Sequence, residues 1–180
     1  MTGEALQEDG WILREAIAAD IDELMRWFPK SDDVHVWSGP WFRFPFTRET
    51  FIKDVHWGKM ASLCLCDPSR RVVAFGQLYE RDGRIHLARL VVIPDMRGHG
   101  VGRRLIEMLM TAGQAMFPGD EYSLFVFREN KPAYECYKSL GFEITDYPDD
   151  MPHADVCYYL TRSISTKQPI AGNKQEGEQQ

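Results

Sequence analysis

Three glycines at alternate positions in Arg97-Gly98-His99-Gly100-Val101-Gly102 separate an apolar run from a long amphipathic segment. This junction constrains the chain more than any other stretch. The residues before it, Leu87-Ala88-Arg89-Leu90-Val91-Val92-Ile93-Pro94, are rich in branched side chains and short enough for a strand. After it, Val101, Leu105, Leu109, Ala112 and Met116 recur at spacings of three and four, which predicts a helix with one buried face. The glycines therefore occupy a strand-to-helix turn. Lacking a Cβ, they let an oxygen-rich ligand approach the backbone. The first N–H groups of the helix have no partner inside it and carry partial positive charge, which suits a phosphate or pyrophosphate. Arg97, Arg103 and Arg104 add cationic side chains nearby. Two common phosphate motifs are excluded. A P-loop needs a Gly-Lys-Ser/Thr ending, and the lysine is absent. A Gly-x-Gly-x-x-Gly fingerprint meets Arg103 in its third glycine position when started at Gly98, and Leu105 when started at Gly100.

The chain has 180 residues, the length of one domain, and is 44% hydrophobic and 12% aromatic, enough for a sizeable core. No apolar run approaches 18 residues, so no membrane-spanning helix is expected. Met1-Thr2-Gly3-Glu4 lacks the basic-then-apolar order of a secretory signal, and a cytoplasmic location is expected. A net charge of -6 argues against nucleic acid as a general partner. The four cysteines, Cys64, Cys66, Cys136 and Cys157, form no C-x-x-C pair and have no histidine at metal spacing. They are read as free thiols with no metal site, in keeping with a reducing compartment.

In chain order, Trp11–Ala16 reads as a first strand and Ala18–Phe28 as a helix stopped by Pro29. A long connection from Lys30 to Phe46 holds Trp37, Trp41, Phe42, Phe44 and Phe46, which must bury on a core or around a ligand. Thr47 is a candidate N-cap for a helix over Arg48–Trp57. Ala61–Cys66, Val72–Glu80 and Arg84–Ile93 read as strands, the last two joined by the hairpin signal Asp82-Gly83. The glycine turn leads into a helix from Gly100 to Met116. Tyr122–Phe127 is a fifth strand, and Asn130 caps a helix over Lys131–Leu140 that Gly141 ends. Phe142–Asp146 and Val156–Thr161 complete seven strands. The expected organisation is one domain over residues 1–162, followed by a disordered polar tail over 163–180. The fold class is α/β, a mixed sheet flanked by helices.

Two motifs carry a family resemblance. Val92-Ile93-Pro94-Asp95-Met96-Arg97-Gly98-His99-Gly100-Val101-Gly102 resembles the acyl-CoA-binding motif of the GNAT superfamily of N-acyltransferases, Arg/Gln-x-x-Gly-x-Gly/Ala after a Val-x-Pro strand end. At the family's usual distance, Asn130-Lys131-Pro132-Ala133-Tyr134-Glu135-Cys136-Tyr137-Lys138-Ser139-Leu140-Gly141-Phe142 resembles its Asn-x-x-Ala-x-x-x-Tyr-x-x-x-Gly-Phe element. The resemblance implies a mostly antiparallel sheet splayed between its fourth and fifth strands, with acetyl-CoA wedged into the split. It implies an N-acetyltransferase in which an amine attacks the thioester directly in a ternary complex. The alternative is a non-catalytic acyl-CoA-binding or sensing domain acting through a protein partner. Many relatives of this kind are dimers, and nothing in the sequence selects an interface.

The resemblance also implies site roles. Backbone groups of Leu90, Val91 and Val92 would pair with the pantetheine arm, and backbone N–H groups from His99 to Arg103, through Gly100, Val101 and Gly102, would hold the pyrophosphate beside Arg97 and Gly98. His99 itself also reads as a solvent-exposed loop residue whose side chain does nothing. Tyr137 falls where the family has a tyrosine that protonates the departing thiolate, although it also reads as a packing residue and Tyr134 lies three positions away. Asn130 matches an asparagine that contacts the pantetheine or an ordered water, besides being an N-cap. The general base stays open among His86, Glu80 and water. His86 has an ordinary pKa suited to the task. The acceptor site is expected from the 30–46 connection, with Asp32, Asp33 and its aromatic residues, and from the last connection, with Asp146, Tyr147, Asp149, Asp150 and Asp155. Acids and rings together suit a cationic amine, either a small molecule or a protein or peptide amine.

Overall fold

The computed structural model describes residues 5–164. Its elements, in order, are β1 (Leu6–Glu8), β2 (Trp11–Glu15), α1 (Asp20–Arg26), α2 (Ser31–Ser38), α3 (Arg48–Asp54), β3 (Ala61–Cys66), β4 (Val72–Arg81), β5 (Arg84–Val92), a 3-10 turn (Pro94–Met96), α4 (Val101–Met116), β6 (Glu121–Phe127), α5 (Lys131–Ser139), β7 (Glu143–Thr145) and β8 (Cys157–Ser163). They form one mixed sheet in the order β1-β2-β3-β4-β5-β6-β8-β7. Every neighbouring pair is antiparallel except β5 and β6, which the crossover through α4 makes parallel.

The sheet has eight strands, not the seven expected. The extra one, β1, is short and polar, and pairs with β2 across Asp9-Gly10, whose φ values of 49° and 82° are the left-handed pair of a tight hairpin. The connection from 30 to 46 is not all loop, because α2 occupies its first half. Its aromatic residues divide. Trp37 stacks on Phe28 at 4.3 Å, and Phe42 and Phe46 pack on Phe51 at 5.3 and 5.1 Å, whereas Trp41 is 74% exposed. The helices α1 and α3 are shorter than expected. Strand β8 runs on to Ser163, and Ile164 N–H donates to the Asp120 carbonyl at 2.7 Å, so the first residues assigned to the tail belong to the sheet. The rest of that expected tail lies outside the described residues. All four cysteines are free, and three of them are buried.

Local chemistry explains the elements that frame the split. Thr47 and Thr50 cap α3 reciprocally: Thr50 N–H donates to Thr47 Oγ1 at 3.2 Å and Thr47 N–H to Thr50 Oγ1 at 2.9 Å. Asn130 Oδ1 accepts from Ala133 N–H at 3.4 Å at the start of α5. Helix α4 lies close on the sheet because two glycines face each other's layer. A Cβ on Gly113 would sit 2.7 Å from Ile85 Cγ2, and one on Gly76 would sit 2.6 Å from Leu109 Cδ1 and 2.8 Å from Leu90 Cδ2. Opposite Gly76, β5 carries an extra residue, with Arg89 at φ 49°. Strands β5 and β6 pair only at Ile85↔Tyr122 and His86↔Ser123. Beyond that point β5 has no strand partner on this side among the described residues, which is the split expected between the fourth and fifth of the seven strands first read.

Candidate active site

The unpaired edge of β5 faces the split. Ile93 N–H donates to the Val73 carbonyl at 2.9 Å on the β4 side, and groups alternate along a strand, so Leu90 and Val92 turn their N–H and C=O groups to the open side. Arg97 Nε confirms the direction, donating to the Val92 carbonyl at 3.1 Å.

Two cavities open from this edge. The first, of about 570 Å³, runs between the end of β5, the glycine turn, the first turns of α4 and the start of α5, with α2 opposite. Leu90, Val91, Val92, Arg97, Gly98, Gly100, Gly102, Arg103, Asn130 and Tyr137 all line it. Gly98 and Gly100 have φ of 77° and 79°, and a Cβ on either would meet nothing within 4 Å. They are glycines for backbone conformation and for the open space in front of them. The first helical bond of α4 is Arg104 N–H to the Gly100 carbonyl at 3.1 Å, so the N–H groups of Val101, Gly102 and Arg103 precede the helical ladder. This cradle fits a pyrophosphate. Two of the residues expected here stand apart. The His99 side chain is exposed and folds onto the Arg97 carbonyl at 2.9 Å, and Val101 is buried in the core, so each can contribute only backbone. Arg104 lies over the Trp11 ring, away from the cavity.

The second cavity, of about 320 Å³, lies between β4, β5, β6, the Gly39–Trp41 segment and the loop before β8. The two share Val36, Trp37, Leu90, Asn130, Ala133 and Tyr137. Tyr137 is 8% exposed, and its hydroxyl makes no hydrogen bond among the described residues. Burial pushes its pKa well up, so the hydroxyl keeps its proton. Tyr134 is on neither wall and packs on Tyr158 at 5.4 Å.

His86 lines the second cavity but is 2% exposed, with Nδ1 and Ser123 Oγ sharing a hydrogen bond at 2.9 Å. Burial, with the Arg81 charge added, takes its pKa down to about 3. Glu80 is exposed on the opposite face of the sheet, across from Ile85 beneath α4, and lines neither cavity. The expected acidic acceptor site also differs. Asp32 and Asp33, in the first turn of α2, line the first cavity and not the second. Of the residues expected from the last connection only Tyr147 reaches the second cavity, joined there by Met151, Pro152 and His153, while Asp150 pairs with Arg81.

Trp37, one of the aromatic residues expected around the acceptor, donates from Nε1 to the Arg89 carbonyl at 2.8 Å, and its ring stands between the cavities. Sequence reasoning missed Arg89, Tyr79, Phe125 and His153. Strand alternation offered one signal, because Tyr79 lies opposite His86 and so shares its face.

Comparison with known proteins agrees with this geometry. A solved spermidine N-acetyltransferase from Vibrio cholerae, in complex with CoA and spermine, is similar with a TM-score of 0.67 at 15% identity, over 87% of this chain and 96% of that one. A GCN5-related N-acetyltransferase from Brucella melitensis is similar with a TM-score of 0.68 at 15% identity, over 89% of this chain and 78% of that one. At such identities the likeness is one of fold. A UPF0039 protein of Schizosaccharomyces pombe is 28% identical over 102 residues, 54% of this chain and 67% of that protein. Residues 31–142, which hold the glycine turn, the split and the Tyr137 helix, match the Acetyltransferase (GNAT) family, whose acyl donor is acetyl-CoA, and the chain belongs to that family.

Proposed function

We propose that this protein transfers an acetyl group from acetyl-CoA to a primary amine by direct attack in a ternary complex. The observation that carries the reading is the meeting of the two cavities at Leu90, Asn130 and Tyr137. A domain that only senses acyl-CoA needs the first cavity and has no use for the second.

The donor's pyrophosphate fits the cradle of Gly98, Gly100, Gly102 and the first N–H groups of α4, beside Arg97 and Arg103. When bound, acetyl-CoA supplies an electrophilic thioester carbonyl. The N–H groups of Leu90 and Val92 face the split, where one of them can stabilise charge on an oxygen. Asn130 borders both cavities and spends one side-chain oxygen on the α5 cap, leaving its amide N–H groups for a ligand. The Tyr137 hydroxyl, protonated and lacking another partner, is placed to give a proton to the leaving sulfur. His86 is a poor base, since a group with its depressed pKa holds a proton weakly. Glu80 is out of reach. The amine proton therefore leaves through water. The Vibrio cholerae neighbour supports an amine as the acceptor class, and the four free thiols support a reducing, cytoplasmic setting.

Calorimetric titration with acetyl-CoA, with desulfo-CoA and ATP as controls, tests the cofactor. Thiol release over an amine panel tests the chemistry. Saturable binding of acetyl-CoA and not ATP is expected, followed by amine-dependent release. No binding to folded protein overturns the whole reading, and binding without release leaves the sensing domain.

A further inference from the structure

The second cavity is built for something other than a multiply charged cation. Among the described residues, no aspartate or glutamate lines it. Two acids of the surrounding segments are committed elsewhere: Asp54 accepts from Arg43 Nε at 2.8 Å, and Asp150 is held by Arg81. The charges that do face the cavity are positive or neutral. Arg89 lines it and makes no ion pair with any described residue. All five guanidinium N–H donors go to neutral acceptors: Nε to Ser38 Oγ at 3.1 Å, Nη1 to Met60 Sδ at 3.4 Å and Gln77 Oε1 at 2.8 Å, and Nη2 to the Asp54 carbonyl at 3.2 Å and His56 Nδ1 at 3.1 Å. Gln77 is itself fully buried and fixed by the Val55 carbonyl and Ser62 Oγ, both at 2.9 Å. The guanidinium thus cannot swing away, and its charge stands beside the cavity without an ion-pair partner among the described residues. A second ammonium entering here would give up water and meet a like charge.

The rest of the wall is aromatic. Phe125 packs against Tyr147 at 5.3 Å and His86 at 5.2 Å, and Tyr79 packs against His86 at 4.9 Å. At the rim Trp41 and His153 approach to 5.9 Å, joining the segment after α2 to the loop before β8. Flat rings around about 320 Å³ suit a small aromatic body.

On the acetyltransferase reading above, we propose that the acceptor is a small amine on an aromatic body, bound as the uncharged free base, and not a polyamine. The aromatic body lies among Tyr79, Phe125 and Tyr147, and the nitrogen points to the junction at Leu90 and Tyr137. With no carboxylate to hold an ammonium and no side-chain base, the reactive fraction is set by the amine's own ionisation.

Thiol release from acetyl-CoA, catalysed by the full chain, is compared for 2-phenylethylamine, putrescine, spermidine and phenylalanyl-glycinamide as a peptide-like probe. We expect kcat/KM for 2-phenylethylamine to exceed both polyamines at least tenfold, and to rise about tenfold per pH unit from pH 6.5 to 8.5 with no plateau. Tyr147→Ala should raise KM for 2-phenylethylamine several-fold while kcat and acetyl-CoA affinity hold. Equal or better use of a polyamine overturns the proposal, as does a tenfold preference for the peptide-like probe or a plateau near neutral pH. If acetyl-CoA binds and 2-phenylethylamine is not acetylated, the acceptor assignment falls and the donor site stands. If acetyl-CoA does not bind, the acetyltransferase reading falls first.

Discussion

His86 gives a prediction whose size follows from its surroundings. The imidazole is sealed between Tyr79, Phe125 and Tyr159 and held by Ser123, with the Arg81 charge nearby. Protonating it in the folded state would place a cation in a site with no acid to receive it. Its folded pKa is about 3 against an ordinary 6.5. Between those values the unfolded chain binds a proton that the folded chain refuses, so stability rises with pH in that window and falls as pH drops below 6.5. From pH 8 to pH 5 the loss from this group alone is about 2 kcal/mol, at about 1.4 kcal/mol per unit once the unfolded imidazole is charged. The buried carboxylate Asp20, held by Arg14, works in the same direction, but only below its ordinary 3.8, outside this interval. His56 is also lowered and adds a share of the same sign.

The comparison is therefore between proteins. His86→Asn keeps a hydrogen-bonding atom near the Nδ1 position for Ser123 and removes the titration. Urea unfolding of both at pH 8 and pH 5 should show the wild type losing about 2 kcal/mol more than the variant, a midpoint difference of roughly 1 M. The variant starts from lower stability because it leaves a small cavity, so the pH slope is the readout and not the absolute value. Equal slopes would mean that the imidazole takes up a proton in place. The argument that His86 is too weak a base, and that the free amine enters, would then be lost with it.

Three other perturbations separate the parts of the site. Gly100→Glu places a side chain at φ 79° and a negative charge in front of the α4 donors, so acetyl-CoA affinity by calorimetry should fall more than a hundredfold, at a stability cost of about 1–2 kcal/mol; retained affinity would move the pyrophosphate elsewhere. Tyr137→Phe should lower kcat by a factor of about 10² while acetyl-CoA affinity stays within about twofold; unchanged turnover removes the hydroxyl from the chemistry. Gly76→Ala drives a methyl against Leu109 and Leu90, so chemical denaturation should show a loss of about 1–3 kcal/mol, with the KM for acetyl-CoA raised because Leu90 lines the first cavity; wild-type stability would mean that α4 yields freely.

The first cavity was legible because the elements that build it are local in sequence. A strand end, three glycines and a helix start lie within a few residues, and the left-handed φ at Gly98 and Gly100 is a demand that the residue type itself reveals. Thr47, Asn130 and Gly141 were equally readable, each acting on the turn beside it. The acceptor half is assembled from β4, β5, β6 and two loops, whose facing residues are far apart in the chain. Counting acids in a segment did not say which way they point. Asp32 and Asp33 turn to the first cavity, and Asp150 is held by Arg81 across the sheet. The base question failed on burial. His86 has the right type and the right face, but only the packed sheet shows how thoroughly water is excluded from it. Helix α2 was lost among prolines and aromatic residues because only Val34 and Trp37 tie it to the core, too few to show as an apolar stripe.

That tryptophan joins the two halves. Arg89 sits where β5 carries its extra residue, and the bulge sets free two groups at once. Its carbonyl accepts from Trp37 Nε1, and its guanidinium reaches Ser38, the next and last residue of α2. One irregular residue thus fixes the wall shared by both cavities, while the residues immediately after it, Leu90 to Val92, present the unpaired strand edge to the donor. The same residue sets the charge of the acceptor cavity. On the proposed reading, donor geometry and acceptor selectivity are therefore coupled, and a change that relaxes the bulge at Arg89 is expected to move Leu90 in the first cavity and to alter the amine preference measured by thiol release.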